Sequence, residues 1–461
     1  MSAAYRRQVA EALAAAFLAG PWERSGLIER GREALGLGLD DPELWLVEVA
    51  TRVVTFFETP PHARIDRLAR FVADDEAVRE RLSVNPPHVV RLFTPAPSMV
   101  PTDGPRAAWD LPTLSTPDDV ASWLGVAGEE LDWFADRRGL ERFASDERSR
   151  HYRYRWVPKR SGGARLLESP KPRLKALQRR ILRDLLDRVT PHDAAHGFRR
   201  GRSVTSYVHP HVARSVVMRL DLADFFASIA RGRVVALFCA LGYPIGVARV
   251  LAATCTNCAP VSGAFSPQPP PFATSRDLAI LAASRARYRA PHLPQGARTS
   301  PAIANLCAYV LDVRLSAAAS AVGASYTRYA DDLAFSGDDN FARRTVRFAA
   351  LVGGAALEQG FEVNYRKTRV MRRGVQQRLG GLVVNACAAV PRSDYKQLEA
   401  TLFNCVRTGA ASQNRDGHAD FRAHLQGKIA WVAETHATRG AWLAELFGKI
   451  DWETDAKPAL P

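Results

Sequence analysis

Two groups of carboxylates carry the chemistry most directly readable in this chain. Asp221 closes the strand-forming run 216–220 and is followed by Asp224, Phe225 and Phe226. Farther on, Asp331 and Asp332 stand side by side between two strand-forming stretches, 326–329 and 333–335. Adjacent carboxylates at a turn between half-buried strands repel, and neither tolerates burial without a partner. Divalent cations relieve that repulsion, and Mg²⁺ takes carboxylate oxygens together with substrate phosphate oxygens in octahedral geometry. Two such ions, about 4 Å apart, can activate a hydroxyl nucleophile and stabilise a leaving pyrophosphate. Asp-Asp is also a common turn dipeptide, so this chemistry depends on the elements that hold the acids.

Those elements are legible on both sides of the clusters. Residues 216–221 read as a buried strand ending in an acid, and 326–336 as a hairpin centred on Ala330-Asp331-Asp332. Residues 152–157 alternate aromatic and arginine side chains. A Ser161-Gly162-Gly163 turn and a return through Arg165 make a hairpin with Tyr154 and Trp156 on one face. A basic helix is expected over 172–188, a proline-rich loop over 260–272, and helices over 421–433 and 441–450. Upstream, Val9, Ala12, Leu13, Ala16 and Phe17 fall at helical spacing, as do Leu46, Val49, Val53 and Phe56, so 1–92 reads as helices. Trp22, Trp45, Phe56 and Phe57 are expected in the core of this extension. A loop with five prolines spans 94–112; then Thr116 as N-cap, Pro117 and two aspartates announce a helix that Gly125 ends, with a second over 128–138.

The chain has 461 residues and a net charge of +15, a balance that suits a polyanionic partner. The charge is divided: residues 1–150 sum to −7 and 151–461 to +22. Between Tyr152 and Arg202 there are 15 basic and 4 acidic residues, interleaved with aromatics, a composition suited to backbone neutralisation and base stacking. No apolar run reaches transmembrane length and no signal segment follows Met1. The six cysteines are scattered, which predicts a reduced, cytoplasmic protein without a membrane partner. Cys255-Thr256-Asn257-Cys258 has no second pair at zinc spacing and is a weak metal signal.

Six motifs in order resemble the reverse transcriptases, most closely those of bacterial retrons. They are HGFRRGRS from His196, RLDLADFF from Arg219, LPQGARTSP from Leu293, YADD from Tyr329, NYRKT from Asn364 and GGLVVN from Gly380. The resemblance runs from about Thr116 to the C-terminus. It implies an α+β right-hand polymerase, with fingers and an antiparallel-sheet palm over 113–392, a helical thumb over 393–461 and a helical extension over 1–112. It makes Asp221, Asp331 and Asp332 the catalytic triad, holding Mg²⁺ (or Mn²⁺) with help from the Leu222 carbonyl. It places Lys159 and Arg165 at the triphosphate, Phe226 beneath the sugar of the incoming nucleotide, Gln295 against that nucleotide, and Lys367 where it can protonate pyrophosphate. Gly380, Gly381 and Leu382 fall in the primer grip; Tyr154, Trp156, Arg199 and Arg202 face nucleic acid. Partners implied are dNTPs, a structured noncoding RNA serving as template and primer, its DNA product, and an effector encoded nearby in antiphage defence.

Three positions depart from the retron pattern. After HGFRRGRS the family shows Asn-Ala-x-x-His, whereas 207–211 keeps only His211; Leu379-Gly380-Gly381 replaces Val-Thr-Gly; and Arg298 replaces a proline. The first two elements are associated in the family with recognising the partner RNA, so that partner is less well defined than the chemistry. A non-retron or intron-type reverse transcriptase, and an RNA-binding scaffold with idle polymerase activity, are the alternatives.

Overall fold

The computed structural model describes residues 3–38, 44–58, 60–61, 65–94, 99–100, 104–144, 146–158, 164–260 and 274–452. Lys159, the turn 161–163 and nearly all of the proline-rich loop lie outside them. The chain forms two compact units that do not follow chain order: residues 1–140 with 231–255, and residues 141–230 with 256–461.

In the first unit, helices Ala3–Leu18, Arg24–Leu35, Leu44–Phe56, Ile65–Asp74 and Glu76–Val84 share one apolar core. Val9, Leu13 and Phe17 recur every four residues, and Leu46, Val49 and Val53 every three or four. Each set therefore lines one helix face, and all six are buried. Phe56, expected to continue the second stripe, is 56% exposed. It is the last residue of its helix, and its ring stacks on Phe71 at 4.8 Å on the margin of the core. Trp22 and Trp45 are half-buried against the core, and Phe57 is buried. Helix Pro117–Leu124 starts as its sequence requires: Thr116 accepts from the Asp119 amide while Asp119 accepts from the Thr116 amide, and Gly125 ends it at φ +68°. The next helix, Gly128–Ala135, stops short of the expected residue 138 because Asp136 turns left-handed at φ +36°. Helices Arg231–Ala240 and Ile245–Cys255 join this unit from much later in the chain, the second packing on both of these short helices.

The second unit is α+β. Strands β1 (Tyr152–Pro158) and β2 (Ala164–Pro170) form an antiparallel hairpin pairing Tyr152 with Pro170 and Trp156 with Leu166. A four-stranded antiparallel sheet of β3 (Val216–Asp221), β4 (Ser325–Tyr329), β5 (Asp332–Gly337) and β6 (Arg369–Arg372) has the order β4-β5-β3-β6. Central β3 is buried along nearly all its length, with Val216, Met218 and Leu220 on one face and Val217, Arg219 and Asp221 on the other, and helix Asp339–Glu358 packs on it and on β5. A short hairpin, β7 (Arg378–Leu379) and β8 (Leu382–Val383), turns through Gly380 and Gly381 at φ +54° and +86°. Both central residues are left-handed, as a two-residue type I′ turn requires, and a Cβ on Gly380 would come within 2.6 Å of Val204. Helices Arg392–Thr408, Phe421–Thr435 and Ala437–Gly448 close the chain around a separate core of Leu398, Leu402, Leu425, Ile429 and Leu443. Helix Ala437–Gly448 begins four residues before the expected 441, where His436 caps it by accepting from the Arg439 amide. Among the described residues no single helix is long and apolar enough to cross a membrane.

Candidate active site

The two acidic clusters meet at one end of the four-stranded sheet. Asp221 ends β3, Asp332 begins β5, and the two are paired across the ladder. Ala330 and Asp331 form the turn from β4 to β5, with Ala330 held left-handed at φ +54°. Two backbone bonds tie this end together: the Leu222 amide donates to the Asp331 carbonyl at 2.8 Å, and the Asn364 amide donates to the Asp221 carbonyl at 2.7 Å. Antiparallel register therefore gathers acids separated by 110 residues of chain.

Cations answer two of the three carboxylates. Arg219, two residues before Asp221, donates to Asp332 through Nε at 2.9 Å and through Nη2 at 2.7 and 2.8 Å. Lys367 Nζ lies 2.9 and 3.0 Å from the oxygens of Asp221. Burial, together with the charges of Asp221 and Asp332, pushes the Asp331 carboxyl up to about 6. Burial also raises Asp332, against the pull of Arg219. Among the described residues no group of three His, Cys, Asp or Glu side chains stands ready-made for a metal ion. The donor set nevertheless fits a hard divalent cation: it consists of carboxylate oxygens, and its crowding is the kind that a positive ion relieves.

Beneath the acids lies a fully buried clamp that sequence reading missed. Arg328 and Asp312 are both 0% exposed and form a bidentate pair at 2.8 and 2.6 Å. Arg328 Nη1 also donates to the Ala330 carbonyl at 3.1 Å and to Asn305 Oδ1 at 3.0 Å, while Asn305 Nδ2 donates to the Gly197 carbonyl at 2.9 Å. The His196 amide donates to the Arg328 carbonyl at 2.8 Å. Gly197 sits so tightly on the Ala330 turn that a Cβ there would come within 2.7 Å of the Ala330 nitrogen. His211 braces the same sheet, bonding Ser336 Oγ of β5 at 2.6 Å and Thr327 Oγ1 of β4 at 2.7 Å. Burial pushes its imidazole down to about 3, with Arg214 and His196 adding to the shift.

The residues expected at the nucleotide fall into several places. Phe226 is half-buried, 5.6 Å from the Phe225 ring and 6.1 Å from that of Phe198. Arg165 is exposed on β2, and Lys159 lies outside the described residues. Gln295 is half-buried, and its carbonyl accepts from the Glu168 amide at 2.9 Å, which joins its turn to β2. A second buried network holds that junction. Glu168 bonds His292 Nε2 at 2.9 Å and Asn257 Nδ2 at 2.8 Å; Asn257 also donates to Tyr154 Oη, which donates to Glu141 at 2.7 Å. Tyr154 and Trp156 are thus half-buried against Leu166, Ala259 and Tyr288, and the side of β1 open to solvent is the arginine side, Arg153 and Arg155. Arg199 and Arg202 both approach Asp193, at 3.3 and 3.5 Å. Gly380, Gly381 and Leu382 form the β7–β8 turn, with Leu382 buried beside Tyr207 and Val208. Of the CxxC cysteines, Cys258 donates to the Arg289 carbonyl and Cys255 is buried.

Residues 157–380 match the family described as reverse transcriptase (RNA-dependent DNA polymerase). The Retron Mx65 reverse transcriptase of Myxococcus xanthus is 41% identical over 72% of this chain and 71% of its own length. The Retron Mx162 reverse transcriptase of the same organism is 36% identical over 73% of this chain and 67% of its own. The Retron Ec86 reverse transcriptase of Escherichia coli is 28% identical over 64% and 79%.

Proposed function

This chain belongs to the bacterial retron reverse transcriptases, and from that membership we propose that it is an RNA-directed DNA polymerase adding dNTPs to a primer hydroxyl on a structured noncoding RNA. The observation that carries the reading is the convergence of Asp221, Asp331 and Asp332 at one sheet end with Lys367 and Arg219 at the rim. Asp221, Asp331, Asp332 and the Leu222 carbonyl would hold Mg²⁺, or Mn²⁺ in its place, which would supply Lewis-acid activation of the attacking hydroxyl and charge neutralisation of the leaving pyrophosphate. Arg219 fixes the orientation of Asp332 through a two-pronged guanidinium contact. Lys367, resting on Asp221, carries a proton within reach of the site and delivers it to the departing pyrophosphate.

The Phe226 ring lies beneath the sugar and leaves no room for a 2′-hydroxyl, which selects dNTPs. Gln295 packs on the nucleotide, Lys159 and Arg165 take the triphosphate, and the turn 380–382 grips the primer. Arg199 and Arg202 neutralise template phosphates. In this assignment 113–392 are fingers and palm, 393–461 the thumb and 1–112 an extension. The product is a small RNA-linked DNA acting in antiphage defence with an effector encoded nearby.

Incorporation on a homopolymeric RNA template with dNTPs and Mg²⁺ tests the reading. The native chain incorporates and Asp331→Asn does not; no incorporation by the native chain overturns it in favour of an RNA-binding scaffold. Sequencing the nucleic acid that copurifies tests the retron assignment, for which a single short RNA–DNA species is expected.

A further inference from the structure

A third aromatic ring stands beside Phe226 in a conformation that needs a reason. Phe198 has φ +58°, a left-handed backbone that bulky side chains rarely adopt, and its ring is 53% exposed. Local sequence favours neither feature; both are imposed from below. Gly197 is pinned against Ala330, its carbonyl is held by Asn305, and the His196 amide is held by the Arg328 carbonyl. The backbone entering Phe198 is therefore fixed by the same buried clamp that fixes the turn carrying Asp331. Phe198 projects from this anchor to within 6.1 Å of the Phe226 ring and 6.3 Å of the Tyr329 ring, at interplanar angles of 54° and 43°. Phe226 also meets the buried Phe225 at 5.6 Å. The Phe226 ring thus has two aromatic neighbours, one buried in the core and the other exposed and held by a strained turn.

We propose that Phe198 is a positioning residue for sugar selection: it braces Phe226 on the open side, so that the ring cannot swing aside to admit a 2′-hydroxyl. This rests on the reading of Phe226 as the sugar gate. An aromatic pair of this kind contributes enough to shift a rotamer equilibrium about three- to tenfold. The exposed ring of Phe198 supplies that contact, and the tie of its backbone to the Ala330-Asp331 turn keeps the brace in register with the acids.

Single-nucleotide incorporation with matched dNTP and rNTP on an RNA template tests this in Phe198→Ala, Phe226→Ala, the double variant and Phe198→Tyr, with the melting temperature of each measured alongside. Phe226→Ala raises the rNTP-to-dNTP ratio of kcat/KM the most. Phe198→Ala raises it about three- to tenfold, the double variant matches Phe226→Ala alone, and Phe198→Tyr keeps the native ratio. If Phe198→Ala does not fold, Phe198→Leu replaces it and shifts the ratio in the same direction. An unchanged ratio in Phe198→Ala beside a shifted one in Phe226→Ala overturns the brace and leaves the gate standing. So does a double variant whose shift is the product of the two single shifts. A change in KM for template alone instead marks Phe198 as a template contact. An unchanged ratio in Phe226→Ala removes the gate itself, and the brace with it.

Discussion

Two groups of charge in the second unit are built on opposite terms. Arg328 and Asp312 are wholly enclosed, yet their charges cancel through two short bonds, and Tyr326, Asn305 and the Ala330 carbonyl take further hydrogen-bonding capacity. Asp221, Asp331 and Asp332 are crowded together, and their cations stand at the rim, with Arg219 and Lys367 side chains 37% and 42% exposed. Asp331 registers the imbalance by rising to about 6. The contrast separates a compensated pair from an uncompensated cluster, and in the proposed reading scaffold from chemistry. A compensated buried pair fixes geometry, because removing either partner strands a charge. A crowd of acids with half-exposed cations at its edge leaves negative charge available to a ligand.

The contrast breaks first at Asp331. Asp331→Asn lowers incorporation about a thousandfold, because several kcal/mol of transition-state stabilisation go with it. Its melting temperature does not fall, since the change removes a repelling charge; a fall in both would mean that the acids are scaffold too. Arg328→Met does the reverse, costing about 3–5 kcal/mol of stability in chemical denaturation by leaving Asp312 buried and alone. Adding Asp312→Leu to it recovers most of that loss, and no recovery would argue against a compensated pair. Lys367→Ala lowers kcat about a hundredfold, with a smaller change in KM for dNTP, as expected of a proton donor. An equal change in both would assign the lysine to binding instead.

The smallest effect is acid lability from His211. Its folded pKa of about 3 lies below the ordinary value, so the unfolded chain takes up a proton that the folded chain refuses. Stability is unaffected by this group above about pH 6.5 and declines from there toward pH 3, by at most about 1.4 kcal/mol per unit. Burial lowers His196 in the same way, to about 4, and it contributes its own share. Denaturation midpoints at pH 7, 6 and 5 show a shallower decline in His211→Gln, and an unaltered slope would mean that His211 takes up its proton without unfolding.

Much of the site was readable because it is written locally. The strand ending at Asp221, the hairpin around Ala330-Asp331-Asp332, the Thr116 cap and the Gly380-Gly381 turn each follow from a few adjacent residues whose backbone preferences agree. Reading stopped where a side chain's meaning depends on distant partners. Tyr154 and Trp156 have the right alternation for a stacking face, but alternation does not say which face is covered, and here the aromatic face is turned inward. Arg328 looked like one arginine among many, since nothing nearby announces Asp312 and Asn305. Glu168, His292 and Asn257 were equally silent.

Sequence alone determined the chemistry on offer and the order of its parts: three aspartates in strand and turn settings, an aromatic after the first, a lysine beyond, and helices at both ends. Only the tertiary structure decided which charges are compensated, why residues 231–255 leave their neighbours in the chain, and how Phe198 comes to hold a left-handed backbone beside Phe226. The reason is physical. Backbone preference acts over a few residues, whereas burial, charge pairing and ring contact depend on what the fold brings near.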